Sequence, residues 1–333
     1  MKRILTTLIA TATAAVISFT VVAAPEITDV VAKQRYPWNG LVDITCKVTG
    51  INGTTNKLEF AVAAVMPDSG AVRKVLHFWT MQGGTKSTDR EVHTNGNYHL
   101  LWDAQADLGQ VCFDNMVVRV TTVKGHGKVQ LWEGGPYWAE TNIGADEPWE
   151  YGYYFWWGDT VGYTNTGSVW ISVKDGTSIS FSSSGTAAST YDKSDSELQS
   201  AGYIDSTGNL VAAHDAATAH LGAPWRMPTS AEMSALISNC TTTWITTNGV
   251  SGLLVTGEGA YMDRSIFLPS AGYGGYGSYL DGAGSIGLYW SATPYSAISD
   301  RAWCLYFYSG NFRRDYNYRC GGRSVRPVRG FAQ

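Results

Sequence analysis

Trp225-Arg-Met-Pro-Thr-Ser-Ala-Glu-Met-Ser-Ala-Leu-Ile-Ser-Asn239 is the stretch that decides the fold class of this chain. The Thr229 hydroxyl can accept from the third backbone N–H of a helix while Glu232 returns the bond, the reciprocal capping of a helix start. Met233, Leu236 and Ile237 then share one face at helical spacing, and the pattern stops near Asn239. A second helix is expected over Asn209–Leu221, where Ala212, Ala213, Ala216 and Ala219 share helical spacing before Gly222-Ala-Pro224 ends the run. On either side, short aromatic and β-branched runs are broken by Gly, Asn and Ser, the punctuation of strands and loops. Two helices in that setting define an α+β domain.

Toward the N terminus, Ser178–Ser200 is polar and Ser-rich and is expected to be a surface loop. Tyr151-Gly-Tyr-Tyr-Phe-Trp-Trp-Gly-Asp159 is a ring-dense strand segment. Gly125-His-Gly-Lys128 is a candidate linker, which puts a boundary near Val129 and an α+β domain over residues 129–333. Ahead of it, Leu41–Val48, Lys57–Val65, Tyr98–Trp102 and Asn115–Thr122 alternate apolar and polar residues, with Asn52-Gly53 and Asn95-Gly96 at turns. Short antiparallel strands at this spacing predict an all-β sandwich over residues 24–128 that resembles immunoglobulin-like or fibronectin-like modules.

Met1–Ala23 has the plan of a signal peptide: Lys2 and Arg3 open it, an apolar run follows, and Val21-Val22-Ala23 offers small residues for cleavage. The expected location is therefore secreted, periplasmic or cell-surface. Interspersed Thr and Ser dilute the apolar run, and no second run of spanning length occurs, so no transmembrane segment is expected after cleavage. Aromatic residues at 13% and charged residues at 16% describe a folded chain with a large stacking payload. A net charge of −4 gives no electrostatic reason to bind nucleic acid. Of the five cysteines, Cys46 with Cys112 and Cys304 with Cys320 are pairings the sequence permits, and burial as an unpaired small hydrophobe is the alternative for each.

Tyr137-Trp-Ala-Glu-Thr-Asn-Ile-Gly-Ala145, Tyr154-Phe-Trp-Trp-Gly-Asp159, Trp225-Arg-Met-Pro-Thr229, Ser265-Ile-Phe-Leu-Pro-Ser-Ala-Gly272, Tyr289-Trp-Ser-Ala-Thr293 and Ser324-Val-Arg-Pro-Val328 occur in this order. The series resembles the Fibrobacter succinogenes major paralogous domain over residues 131–331. The resemblance implies a C-type-lectin-like fold, a mixed sheet core with two helices and long binding loops. It implies no catalytic residues.

From Asp263 to Ala332 there is no Lys, Glu, Gln or Met, while Tyr, Ser, Gly, Arg, Asp and Asn abound. The bias resembles the variable proteins of diversity-generating retroelements, in which adenines of Asn codons are randomised. Such codons yield none of Lys, Glu, Gln, Met or Trp, and between Tyr295 and Gly322 only Trp303 lies outside the reachable set. That resemblance implies exposed, adjustable contacts at Tyr295, Ser296, Ile298, Ser299, Asp300, Arg301, Tyr306, Tyr308, Asp315, Tyr316, Asn317 and Tyr318. A Tyr ring gives large contact area for two torsions, and Ser and Asn add adaptable hydrogen bonds. Ordinary C-terminal hairpins that alternate buried Leu305, Phe307 and Phe312 with exposed Tyr and Arg would explain the same residues. Sugar stacking on Trp and Tyr rings is another binding reading, although Trp156, Trp157 and Trp225 are expected in the core.

No motif carries catalysis. The formylglycine-generating enzymes have a related fold and need a reactive cysteine pair, which draws attention to Cys304 and Cys320, but the motifs around them do not match. Asp146, Glu147, Glu150 and Asp159 are simply explained as loop carboxylates, and His214 and His220 fall on different faces of the expected helix. The cysteines show no metal spacing and His214 and His220 make no metal pair, so no metal is expected, and without a Gly-rich phosphate loop no nucleotide cofactor is expected either. The chain is therefore expected to bind a protein or glycan ligand through its C-terminal surface rather than to be an enzyme, with a structural or assembly role in the cell envelope as the alternative.

Overall fold

The structure, a computed structural model, describes residues 25–330 except 37–38, 52–57, 67–69, 88, 110–116, 126, 185–188 and 276. The expected signal peptide, the Asn52-Gly53 turn and Cys112 lie outside the described residues.

The chain opens with β1 (Glu26–Gln34), β2 (Leu41–Thr49), β3 (Leu58–Val65), β4 (Val72–Val75), β5 (Phe78–Gln82), β6 (Thr85–Ser87), β7 (Gly96–Asp103), the short helix α1 (Ala104–Leu108) and β8 (Val117–Lys124). They form one sheet in the order β1-β2-β7-β5-β6 and a second in the order β4-β3-β8. The period-two pattern of β2 sends Val42, Ile44, Cys46 and Val48 inward, where they meet Phe60, Val62, Ala64 and Val120 of the second sheet. The four expected strands are all present, and two sheets sharing one core make this part a β-sandwich. Helix α1 was not legible as one; Asp103 caps it by accepting from Ala106 N–H at 2.9 Å.

The C-terminal part begins with β9 (Lys128–Gln130) and β10 (Tyr137–Ala139), and β10 also pairs with the last strand, so the end of the chain returns to its start. Next come β11 (Tyr163–Asn165), β12 (Trp170–Ser172), β13 (Ser178–Ile179), α2 (Asp195–Ser200), α3 (Ala216–Leu221) and α4 (Ser230–Asn239). Then follow β14 (Cys240–Thr247), β15 (Val250–Gly257), β16 (Ser265–Pro269), β17 (Tyr273–Gly274), β18 (Leu280–Asp281), β19 (Ile286–Pro294), β20 (Arg301–Tyr308), β21 (Asn311–Tyr318) and β22 (Val328–Arg329). The mixture is α+β, with strands predominating. Helix α4 starts as expected, with the Thr229–Glu232 capping box closed and Met233 and Leu236 buried.

Two expectations need correction. The run Asn209–Leu221 is not one helix: a 3₁₀ turn spans Ala212–His214 and α3 covers only Ala216–Leu221. Asp215 divides them, because its extended backbone lets its carboxylate cap α3, accepting from Thr218 N–H at 2.8 Å and Met227 N–H at 2.8 Å. The Ser-rich segment is not wholly loop either, since Ser194 and Glu197 form a capping box that starts α2.

Among the described residues, no helix is long and apolar enough to cross a membrane.

Candidate ligand-binding surface

Strands β19, β20 and β21 form one antiparallel sheet with β20 in the middle. All of the residues singled out from sequence lie on β20, on β21 or on the 295–300 connection that joins β19 to β20, and none is buried. Their neighbours are: Ala302, Cys304, Leu305 and Phe307 are each 0% exposed. The alternation expected from sequence is present, with Leu305 and Phe307 buried and Phe312 half-buried against them. Trp156, Trp157 and Trp225 are buried, as their aromatic context predicts.

The strand register divides the candidates into two groups. Arg301 faces Tyr318 and Trp303 faces Tyr316 on one side of the sheet, while Cys304 faces Asp315 and Tyr306 faces Arg313 on the other. On the first side, Leu305 and Phe307 pack with Met233 and Leu236 of α4 and with Leu253 and Leu268 of the β14–β16 sheet. On the second side, Ala302 and Cys304 pack with Leu288, Trp290 and Val325. The middle of β20 is thus covered on both faces. What stays open is one patch near Arg301 and another near Tyr308, on opposite faces and at opposite ends of the strand.

The first patch is a tiling of rings and guanidinium groups. Tyr295 stacks on Tyr316 with centroids 4.2 Å apart and planes 4° apart, and Trp303 meets Tyr295 edge-on at 4.8 Å. Arg314 lies 4.0 Å over Trp303, and Arg301 lies 3.2 Å over Tyr318 while its Nε donates to Asp300 at 2.9 Å. Ser299 donates to Asp192 at 2.6 Å, which ties the connection to the preceding loop. Ile298 is 42% exposed at its tip.

The second patch is a corner. Tyr306 and Tyr308 meet edge-on at 5.7 Å, and Arg313 covers Tyr306 at 4.4 Å while bonding Asp315 and Asn311. Beside it runs an open groove of about 490 Å³ lined by Trp244, Gly284, Ser285, Ile286, Tyr306, Tyr308 and Ser309.

Three buried arginines support this region, and among the described residues none has a carboxylate within ion-pair distance. Arg319 donates to the carbonyls of Arg301, Thr190 and Lys193. Arg323 donates to the carbonyls of Gly274 and Gly322 and to the Asn317 side chain, and Arg326 to Asn142 and the carbonyls of Ala139, Glu140 and Phe267. Burial pushes each guanidinium down to about 10, which leaves it charged at neutral pH. These side chains join segments far apart in sequence and hold the open patches on a stiff base.

Cys304 is a free, fully buried thiol, so the Cys304–Cys320 bridge is not made; burial pushes the Cys304 thiol up to about 12. Cys46 is likewise a free thiol inside the sandwich, where its side chain fills core space. His214 and His220 do not converge: His214 stacks on Tyr203, and His220 packs against Phe155 and donates from Nε2 to the Thr160 carbonyl at 2.9 Å.

Sequence reasoning missed several participants. Trp303, Arg313 and Arg314 belong to the patches, and the two-residue register of β20 and β21 is the signal that points to them. Trp244 comes from a different hairpin, and nothing in the linear pattern connects it to Tyr308. Asp89, Glu91 and His93, spaced two apart on the sandwich, bring ligand atoms within 4.8 Å of one another. That cluster already has cationic partners, with Lys128 Nζ at 2.7 Å from Glu91 and 3.5 Å from Asp89.

Comparison of the chain with known protein families, curated proteins and solved structures finds no match in any of the three.

Proposed function

We propose that this chain is an exported binding protein in which an immunoglobulin-like sandwich carries a C-type-lectin-like domain of the Fibrobacter succinogenes major paralogous type. Its C-terminal sheet contacts a protein or glycan ligand, with no catalytic step. The observation that carries the reading is the segregation along β20: no singled-out residue is buried, while the interleaved Ala302, Cys304, Leu305 and Phe307 are fully buried. Rings held in place by stacking and by arginine contacts lose little freedom when a partner arrives. Trp, Tyr and Arg are also the side chains that dominate binding energy at interfaces. The signal-like pattern of Met1–Ala23 supports secretion, periplasmic residence or surface display. Retroelement diversification of the 295–318 segment is part of the proposal and has its own test. A near-repeat of the coding segment beside a reverse-transcriptase gene supports it, and the absence of both removes it.

The binding test is capture of envelope proteins and of an arrayed glycan set by the wild type and by a variant with Tyr306, Tyr308, Tyr316 and Tyr318 all changed to Ser. Loss of capture with an unchanged far-ultraviolet circular dichroism spectrum and cooperative thermal unfolding is the expected result. Equal capture by the folded variant would overturn the reading.

A further inference from the structure

The groove beside Tyr308 has a chemistry of its own, distinct from that of the Arg301 patch. Its walls combine the rings of Trp244, Tyr306 and Tyr308 with the Ile286 side chain, and the Ser285 and Ser309 residues lie at its margin. Among the described residues, no carboxylate, ammonium or guanidinium lines it. An anionic or cationic ligand would therefore lose its hydration there with no opposite charge to replace it. A wholly apolar ligand would leave the serine hydroxyls and the loop backbone at Gly284 facing it. The ligand that fits both features is uncharged, with flat C–H faces for the rings and hydroxyls around its rim. A volume of about 490 Å³ also falls in the range of small-molecule sites.

The walls are prearranged. Tyr306 and Tyr308 project from one face of β20 at 67° to each other, and Arg313 lies 4.4 Å from the centre of the Tyr306 ring. Trp244 is contributed by β14, which pairs with β15 and is anchored in the core through Leu253. The groove therefore draws on two hairpins, only one of which belongs to the segment with the biased composition. Trp244, Ser285 and Ile286 all lie outside the 295–318 segment, so any diversification there would vary one wall and leave the other constant.

We infer that this groove is a binding subsite for a neutral saccharide, one or more pyranose units whose apolar faces stack on Trp244 and Tyr308 while their hydroxyls bond to the serine margin. The inference deepens the proposed ligand-binding role of the C-terminal surface and rests on it. It also separates that surface into a saccharide groove and, on the opposite face, a ring-and-guanidinium patch suited to other partners.

The experiment is fluorine NMR of the full chain labelled with 5-fluorotryptophan, with the Trp244 and Trp303 signals assigned through Trp244→Phe and Trp303→Phe. Hexasaccharides of β-glucose, β-xylose, β-mannose, α-glucose and N-acetylglucosamine are each titrated in. The expected result is a saturable shift of the Trp244 signal with at least one of them while Trp303 stays in place, and a weakening of about tenfold or more in Tyr308→Ala. No shift of Trp244 with any of these sugars overturns the inference, as does a Trp244 shift that a short apolar peptide reproduces and the sugars do not. A shift confined to Trp303 overturns the groove assignment and leaves the broader binding role standing. An equal titration in Tyr308→Ala and wild type shows that the sugar sits elsewhere and also overturns it.

Discussion

Replacement of Arg319 by Met tests whether buried guanidinium groups hold the candidate surface together. Arg319 is 0% exposed and donates to three carbonyls, those of Arg301 at 2.8 Å, Thr190 at 2.9 Å and Lys193 at 2.8 Å. Hydrogen bonds from a charged donor contribute about 1.5–3 kcal/mol each, so their loss removes roughly 5–9 kcal/mol. Against this stands the desolvation of the charge, which lowers the guanidinium pKa from 12.5 to about 10. A drop of that size corresponds to roughly 3 kcal/mol that the methionine no longer has to overcome. Met also fills most of the vacated volume, and water reaches some of the freed carbonyls. The net expectation is destabilisation by about 3 kcal/mol, read as a lower urea midpoint at unchanged slope. In thermal unfolding the same change lowers Tm by roughly 6–12 °C for a region of this size. Arg319→Lys should fall between the two, because a single ammonium cannot reach all three carbonyls in the fork geometry. A Met variant within about 0.5 kcal/mol of wild type would refute the reasoning, since it would mean that the three bonds do no more than offset the buried charge.

Two further outcomes are expected. Gly287 faces Phe307 across β19 and β20, and a Cβ added there would overlap the phenyl ring, so Gly287→Ala should destabilise by about 1–3 kcal/mol and the added change Phe307→Leu should recover part of it; a double variant no better than the single one would contradict this account. Burial, with a smaller contribution from Lys74, holds the His220 imidazole below its ordinary value of 6.5. The unfolded chain then takes up a proton that the folded chain refuses, so stability is fully present above pH 6.5 and falls as the pH drops from there through the lower folded value. Urea midpoints measured at pH 7.5 and 5.0 should show a smaller loss in His220→Gln than in the wild type.

The parts of this fold legible in the sequence are those governed by local physics. The β2 run announces its buried face through a strict two-residue alternation, and Thr229 with Glu232 announces the start of α4 through a reciprocal cap. The Asn209–Leu221 expectation went wrong where two local signals competed. Four alanines at helical spacing favour a continuous helix, but Asp215 stabilises a new helix start by satisfying two buried N–H groups at once. The exposed positions of the C-terminal sheet were legible in kind, from Tyr, Ser and Asn enrichment. Their division into two faces was not, because it depends on which layers cover the middle of β20, and those layers come from residues as distant as Met233 and Val325. The buried arginines were equally hidden. Arg319 and Arg323 look in sequence like their exposed neighbours Arg313 and Arg314, and only the tertiary placement of carbonyl acceptors tells the two kinds apart.

The same sheet presents a hazard that its sequence also answers. Strand β21 is an edge, and among the described residues no other strand pairs with its outer side. An exposed edge rich in aromatic residues invites pairing with another chain, because its outward N–H and C=O groups await partners. Here the N–H of Tyr316 donates to the Asp315 side chain at 2.9 Å and the N–H of Tyr318 donates to the Asn317 side chain at 2.9 Å. The C=O of Tyr318 accepts from Gly321 N–H, which closes the end of the strand. Asp315 and Asn317 therefore engage their own backbone where an incoming strand would otherwise bond. The polar residues between the rings then do two things at once, capping the edge and spacing the aromatic side chains that face outward. The rings are thus offered through their faces, where recognition is by side-chain shape, while a strand approaching the end of the edge meets N–H groups at Tyr316 and Tyr318 that are already engaged.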